Sequence, residues 1–497
     1  EGRILLAVEF WQDEELASCA MSLESIEGEV VSLVESGRYL RALVRLRPEW
    51  LRALAGLSCV KWIQEDATAT TRNDQVRWII QSNVQNQVPL WSHGITGAGV
   101  TLGHIDEEVF EDNCFFDDPT GALPGPNGLT ILIRNHEVVR HRPEEGPFGN
   151  DLELLSQIDQ SLLYDAGADG APPMGGTTTL LYDTKNKALV SHHLSLAGTI
   201  QNCAGGVTPW GSWISCEEIV NEPGEGRAKE HGYNFEVASD LNNPLVRPEP
   251  LKAMGRFKHE AIAVHPGSGV VYQTEDLNDG LIYRFIPNIP GQLNQGGRLE
   301  ALSIRGNPSL DIRNFNGKNI EKGEVLEVDW IELDDVESPD DDLRYRGFDA
   351  GAARFAHGEG IFYGEMNGTE EVYIACTEGG EARLGQIWKY RPSSAEGTPQ
   401  ERNNPGTLEL FVEADSGTIL ENGDNLTVSP WGDLIVCEDG TGDDYLLGIT
   451  PAGEVYKLAR NLNGNGEFAG ACFSPDGSTF FVNMQSDGWT LAINGPW

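Results

Sequence analysis

Two patterns of apolar and polar positions divide the chain. Up to about residue 118, helical and strand spacings are mixed. Residues 3–9 read as a short apolar strand, residues 13–36 carry helix-like spacing, and residues 39–46 alternate as a strand does. Pro48 opens a short helix with proline in its first turn, and Val60-Lys61-Trp62-Ile63 reads as another strand. From about residue 128 onward the pattern is all-β, with short runs rich in Val, Ile, Tyr and Trp between Gly, Pro, Asn and Asp turns.

A repeat runs through the second region. One copy is Val270-Val271-Tyr272-Gln273-Thr274-Glu275-Asp276 followed by Gly280-Leu281-Ile282-Tyr283-Arg284-Phe285. Another is Val372-Tyr373-Ile374-Ala375-Cys376-Thr377-Glu378 followed by Gly385-Gln386-Ile387-Trp388-Lys389-Tyr390. Shorter echoes end at Glu217-Glu218, at Glu438-Asp439 and at His136-Glu137. Each copy is a strand that runs into a carboxylate, a turn, and a returning amphipathic strand. Hairpins that cannot each bury a face alone predict a β-propeller, with a β-sandwich as the competing architecture. The predicted organisation is a small α/β segment over residues 1–118 and a mainly β propeller over residues 119–497.

Charge narrows the partners. The 497 residues hold 35 Lys plus Arg against 77 Asp plus Glu, a net charge of -42. That balance argues against nucleic-acid backbones and anionic membranes, which attract basic surfaces. No apolar run approaches the length needed to cross a bilayer. The 8 cysteines form no C-x-x-C pair and leave the redox compartment open. The first residues show no signal-peptide pattern, while the acidic excess suits an extracytoplasmic, calcium-rich setting as well as an ordinary solvated surface.

The repeat also carries chemistry. Equivalent positions of rotated blades face the axis at one height, which would gather Glu137, Glu218, Asp276, Glu378 and Asp439 near one rim. Carboxylates so close cannot all ionise without cations, and hard oxygen donors select Ca²⁺, with room for a more highly charged metal. Two further strings stand out. Cys203 precedes Gly205-Gly206 and two tryptophans, where a thiolate metal ligand competes with a small buried hydrophobe. In Gly255-Arg256-Phe257-Lys258-His259-Glu260-Ala261, Glu260 adds a carboxylate candidate.

These strings resemble the PhoX-type alkaline phosphatases. The matching motifs include Arg134-Asn135-His136-Glu137, the 202–218 block, 255–261, and Thr274-Glu275-Asp276. They continue with Gly358-Glu359-Gly360, Asp424-Asn425-Leu426-Thr427, Glu467-Phe468-Ala469-Gly470 and the closing Gly495-Pro496-Trp497. The resemblance spans residues from about 128 to 497. It implies a six-bladed propeller that hydrolyses small-molecule phosphate monoesters at an iron–calcium cluster, secreted or in the periplasm. By that match Cys203 is the thiolate ligand to Fe³⁺, and Glu137, Glu218, Glu260 and Glu359 bind calcium or iron. Glu275, Asp276, Asp424, Glu438 and Glu467 are further candidates of the same kind. Arg134 and Asn135 would contact the phosphate, as a cation and a neutral donor.

Two departures qualify the match. The family pattern often places an Arg two residues before the glutamate matching Glu359, where this chain has His357, a weaker and pH-dependent cation, with Arg354 nearby as a substitute. The first propeller strands normally precede the Arg-Asn-His-Glu motif. Here residues 43–66 instead resemble a subtilisin-family prodomain, and Gly97 to Asp106, then Asn113 to Phe116, resemble that protease's first catalytic strand. The protease's His and Ser strings are missing, so the segment is expected to be non-catalytic and the first blade to be incomplete. Two alternatives remain: a calcium-dependent propeller hydrolase such as a lactonase or phosphodiesterase, and a non-catalytic, calcium-stabilised binding propeller.

Overall fold

The computed structural model describes residues 4–65 and 120–495, apart from 11–15, 37–38, 56, 58, 139–145, 150–151, 169, 243–244, 367–368, 417–419, 463–465 and 486–487. The segments 97–106 and 113–116, matched above to a protease strand, lie outside the described residues, as do Pro496 and Trp497. The chain divides into two compact units, residues 1–79 and 80–497.

The first unit holds β1 (Ile4–Phe10), helix α1 (Leu16–Glu24), β2 (Glu29–Ser36), β3 (Tyr39–Leu46) and β4 (Val60–Glu65). They form an antiparallel sheet of order β2-β3-β1-β4. Leu6, Val8 and Phe10 of β1 bury with Ala42, Val44 and Leu46 of β3, beside Cys19 and Leu23 of α1. The helix expected over 13–36 ends at Glu24, and the rest is strand. A turn with Glu27 at φ 59° and Gly28 against the Leu23 carbonyl stops the helix, after which Val30, Val31 and Val34 favour extended backbone.

The second unit is a six-bladed propeller. Blade 1 is β5 (Thr120–Pro124), β6 (Thr130–His136), β7 (Gly175–Asp183) and β8 (Ala188–Thr199). Blade 2 is β9 (Asn202–Val207), β10 (Ser212–Glu217) and β11 (Asn234–Ala238). Blade 3 runs through β12 (His259–Val264), β13 (Val271–Glu275), β14 (Ile282–Pro287), β15 (Gly297–Ile304) and β16 (Val325–Glu332). Blade 4 is β17 (Gly358–Met366), β18 (Thr369–Cys376), β19 (Gln386–Arg391) and β20 (Thr407–Glu413). Because β16 pairs with β20, blades 3 and 4 join in one nine-stranded sheet. Blade 5 is β21 (Gly423–Val428), β22 (Leu434–Glu438), β23 (Tyr445–Ile449) and β24 (Val455–Arg460), and blade 6 is β25 (Phe468–Phe473), β26 (Thr479–Met484) and β27 (Trp489–Asn494).

The innermost strands stand around one axis in the order β5, β9, β12, β17, β21, β25, and β25 returns to β5. The expected shortfall in blade 1 is absent, because β5 supplies its innermost strand. Close approach of neighbouring inner strands calls for residues without side chains: a Cβ on Gly206 would lie 2.1 Å from the Ile262 carbonyl oxygen of the next blade. Between blades the cores alternate by strand face. On β6, Ile131 and Ile133 pack with Trp213 of blade 2, while Leu132 packs with Cys472 and Phe481 of blade 6.

One polar network crosses the joined sheet. Arg284 of β14 donates from Nε to Glu300, from Nη1 to Glu396 and Glu401, and from Nη2 to Glu401, at 2.6–2.8 Å. Its guanidinium lies 4.4 Å from the centre of the Trp330 ring, and Tyr272 and Tyr390 donate to Glu396.

Candidate metal centre

The donors come from two sets of strand ends on one rim. The first set lies at the starts of the inner strands, and here the backbone does something that periodicity hides. In blade 2, Asn202 pairs with Glu217 but Gly205 with Ser215, so β9 carries one extra residue at the Cys203 step. The same bulge falls between His259 and Ile262 in β12, between Gly358 and Ile361 in β17, and between Gly423 and Leu426 in β21. Four successive blades thus bulge where Cys203, Glu260, Glu359 and Asp424 sit. A bulge breaks the in-and-out alternation and re-aims a side chain, here toward the cluster.

The second set closes the second strands: Glu137, Glu218, Asp276, Glu378 and Asp439. Three groups of donors result, each with ligand atoms within 4.8 Å of one another: Glu137 with Cys203 and Glu218, Glu260 with Glu359 and Asp424, and Asp276 with His357 and Glu359. Cys203 Sγ donates to Glu260 Oε1 at 3.1 Å, which links the first group to the second. Asp439 shares a hydrogen bond with Glu467 and lies against Asp424. Glu378 is set farther out, its Oε2 at 3.7 Å from His357 Nε2.

Electrostatics follow from crowding. Burial first, then the charges of Asp276, Asp424 and Glu260, push the Glu359 carboxyl well above the usual range. Burial and the charges of Asp439, Asp276 and Glu137 do the same to Asp424. Glu218 is raised by burial and by its hydrogen bond with Asp276. Asp276 is held well below the usual range despite burial, by the hydrogen bonds of His357 and Glu218 and the charge of Lys258. His357 Nδ1 lies 2.6 Å from Asp276 Oδ1, and the left-handed backbone at His357, φ 48°, swings the ring there. Burial opposes the imidazolium, but the Asp276 bond and charge outweigh it and raise the ring above its ordinary value.

The structure separates adjacent residues that the motifs join. Arg134 and Asn135 leave β6 on opposite faces, because successive residues of a strand alternate. Asn135 turns toward blade 2, where its amide donates to the Cys203 and Ala204 carbonyls at 2.6 and 3.0 Å and accepts from Ser215 and Trp213. It positions the cysteine strand. Arg134 is buried on the other face, the one that packs on blade 6.

Glu275 and Glu438 likewise stay out of the cluster. Glu275 accepts from the Leu281 amide and the Tyr283 hydroxyl, and Glu438 from the Glu421 and Tyr445 amides. Each braces its own blade, and the next residue, Asp276 or Asp439, carries the carboxylate to the rim. Arg354 is no substitute for the missing arginine, since its guanidinium stacks 3.8 Å from the centre of the Phe348 ring.

The same division of labour occurs in blade 2. Glu217, fully buried, accepts from the amides of Ile200, Gly232 and Tyr233 and contacts His231 Nδ1 at 2.6 Å, while His231 Nε2 lies 3.3 Å from Asp165. Burial opposes charge on His231, but the Glu217 charge and the Asp165 and Glu217 bonds lift the ring to about 9. A value raised on folding stabilises fully below the unfolded value and is lost as pH rises through the folded one. The chain is therefore expected to lose up to about 3 kcal/mol as pH rises from about 7 to about 10. Urea midpoints across that range should show the fall, and His231→Gln should flatten it; a flat wild-type profile would contradict this assignment.

Sequence reasoning missed several residues of the site. Gln201 Nε2 donates to Glu218 at 2.7 Å and lies 3.4 Å from Glu137, which Gln485 also reaches. Thr377 donates to Glu359 at 3.1 Å. Lys258 Nζ lies 3.0 Å from Glu218 and 3.0 Å from Asp276. The repeat itself marks Gln485 and Thr377, which occupy or adjoin the carboxylate position of blades 6 and 4.

Among solved structures the chain is similar to Pseudomonas fluorescens PhoX in complex with vanadate, a transition state analogue. That pair has 19% identity and a TM-score of 0.55 over 76% of this chain and 84% of that one. It is also similar to a gluconolactonase from Xanthomonas campestris, at 11% identity and a TM-score of 0.40 over 78% and 87% of the two chains. No curated protein sequence matches. The first likeness agrees with the propeller seen here. A family model described as alkaline phosphatase PhoX matches residues 173–488, more than half of the sequence, and the chain therefore belongs to the alkaline phosphatase PhoX family.

Proposed function

We propose that this chain is a metal-dependent phosphatase that hydrolyses phosphate monoesters at the rim of its propeller, outside the cytoplasm. One observation carries the reading: four bulged inner strands deliver a thiol and three carboxylates to one buried site. The donor set fits metal ions, because burial and then the charges of neighbouring carboxylates drive Glu359 and Asp424 toward protonation, a state that cations relieve. Glu137, Cys203 and Glu218 would hold iron, which the thiolate favours, and Glu260, Glu359 and Asp424 would hold calcium by their hard oxygens.

When bound, such ions supply positive charge to the phosphoryl oxygens, the main requirement of phosphoryl transfer. The protein does the positioning. Asn135 pins the carbonyls of Cys203 and Ala204, Gln201 bridges Glu137 and Glu218, and Thr377 fixes the Glu359 carboxylate. His357 stands at the mouth, with its side chain 27% exposed, where Nε2 would meet a phosphate oxygen. Residues 1–118 would serve as a non-catalytic accessory module; the prodomain-like stretch 43–66 has no protease partner residues to serve.

The test is hydrolysis of p-nitrophenyl phosphate at alkaline pH with calcium, after chelation, and with calcium restored. Turnover should fall to background on chelation and recover. A folded, metal-loaded chain without turnover would instead be a binding propeller.

A further inference from the structure

Lys258 reaches into the cluster from the residue before β12. Its ammonium lies 3.0 Å from Glu218 Oε1, 3.0 Å from Asp276 Oδ2 and 3.2 Å from the Asp276 carbonyl oxygen. An ammonium has three N–H donors, so these acceptors use all of them. Two carboxylates from adjacent blades and a backbone carbonyl also form the kind of oxygen set that a calcium ion takes. The remaining Asp276 oxygen is engaged by His357 Nδ1 at 2.6 Å. Asp276 therefore has one oxygen committed to a lysine and the other to a histidine, whereas Glu218 meets the same lysine and a neutral amide, that of Gln201.

We propose that the Lys258 ammonium takes the place of a metal ion between blades 2 and 3, with Asp276 anchoring Lys258 and His357 instead of ligating metal. The ions of the cluster then belong to the Glu137–Cys203–Glu218 and Glu260–Glu359–Asp424 groups. The fixed charge at the third corner cannot be extracted by a chelator, so Glu218 and Asp276 stay together when the ions leave. This inference rests on the metal-cluster reading above but not on turnover.

The experiment counts metal ions per chain by plasma mass spectrometry after equilibration with calcium, on folded full-length protein. Lys258→Met removes the charge and keeps the stem, and it should gain one calcium per chain; an unchanged or lower count overturns the proposal. Lys258→Arg should keep the wild-type count, and a gain there also overturns it. Should Lys258→Met fail to fold, Asp276→Asn decides: no ion is lost if Asp276 is an anchor, and one is lost if it is a ligand. Absence of phosphatase activity would sink the functional reading and leave these counts meaningful.

Discussion

Replacing Cys203 with Ala should empty the iron position and cut phosphate-ester hydrolysis by at least about 100-fold. Loss of a ligand's outer-sphere partner alone typically costs about 10- to 100-fold, and loss of the ligand costs more. The effect should be confined to that corner. Cys203 is buried at the β9 bulge and touches Glu260, while calcium would rest on the carboxylates of blades 3 to 5. Iron content should fall to background and calcium content should hold, while the thermal midpoint drops because the folded state loses a bound ion. Unchanged iron in the folded variant would remove Cys203 from the metal assignment.

The second large effect concerns stability. Arg284→Met should cost about 3–5 kcal/mol, the usual result of stripping one partner from a buried ion pair. Arg284 is the cation bonded to Glu300, Glu396 and Glu401, and its side chain is only 3% exposed. Methionine would fill the slot over Trp330 but leave Glu396 and Glu401 without that charge between them, while Glu300 keeps Arg298. The penalty should shrink at acid pH, where protonation relieves the repulsion, and Arg284→Lys should recover part of it. Denaturant titrations at neutral and acid pH measure both; a loss below about 1 kcal/mol would mean the network carries little net stability.

The propeller was legible in the chain because each hairpin repeats the same order of strand, carboxylate and returning strand. The rim position of Glu137, Glu218, Asp276 and Asp439 followed from that repeat alone. What remained hidden depended on register. Glu275-Asp276 and Glu438-Asp439 offer two acids side by side, and only the facing strand decides which one turns back to bind backbone amides. Arg134 and Asn135 read as one motif, although a strand sends neighbours to opposite faces. The bulges at Cys203, Glu260, Glu359 and Asp424 were invisible for the same reason: an extra residue is defined only against the partner strand. The helix expected over 13–36 failed locally, because turn geometry at Glu27 and Gly28 overrides spacing.

The paired acids at the strand ends bear on how such a centre is assembled over generations. In blades 2, 3 and 5 one acid is tied to the amides of its own blade and the next is offered to the axis. A hairpin copied with both residues arrives with a donor already aimed and already braced. In blades 2 and 5, losing the outward acid subtracts a donor without loosening the blade, whereas losing the tethered one disturbs the blade first. Blade 6 presents Gln485 at this position, and its amide reaches Glu137 where an acid would add charge. Ion number and charge can therefore drift one blade at a time while the ring that carries them stays closed.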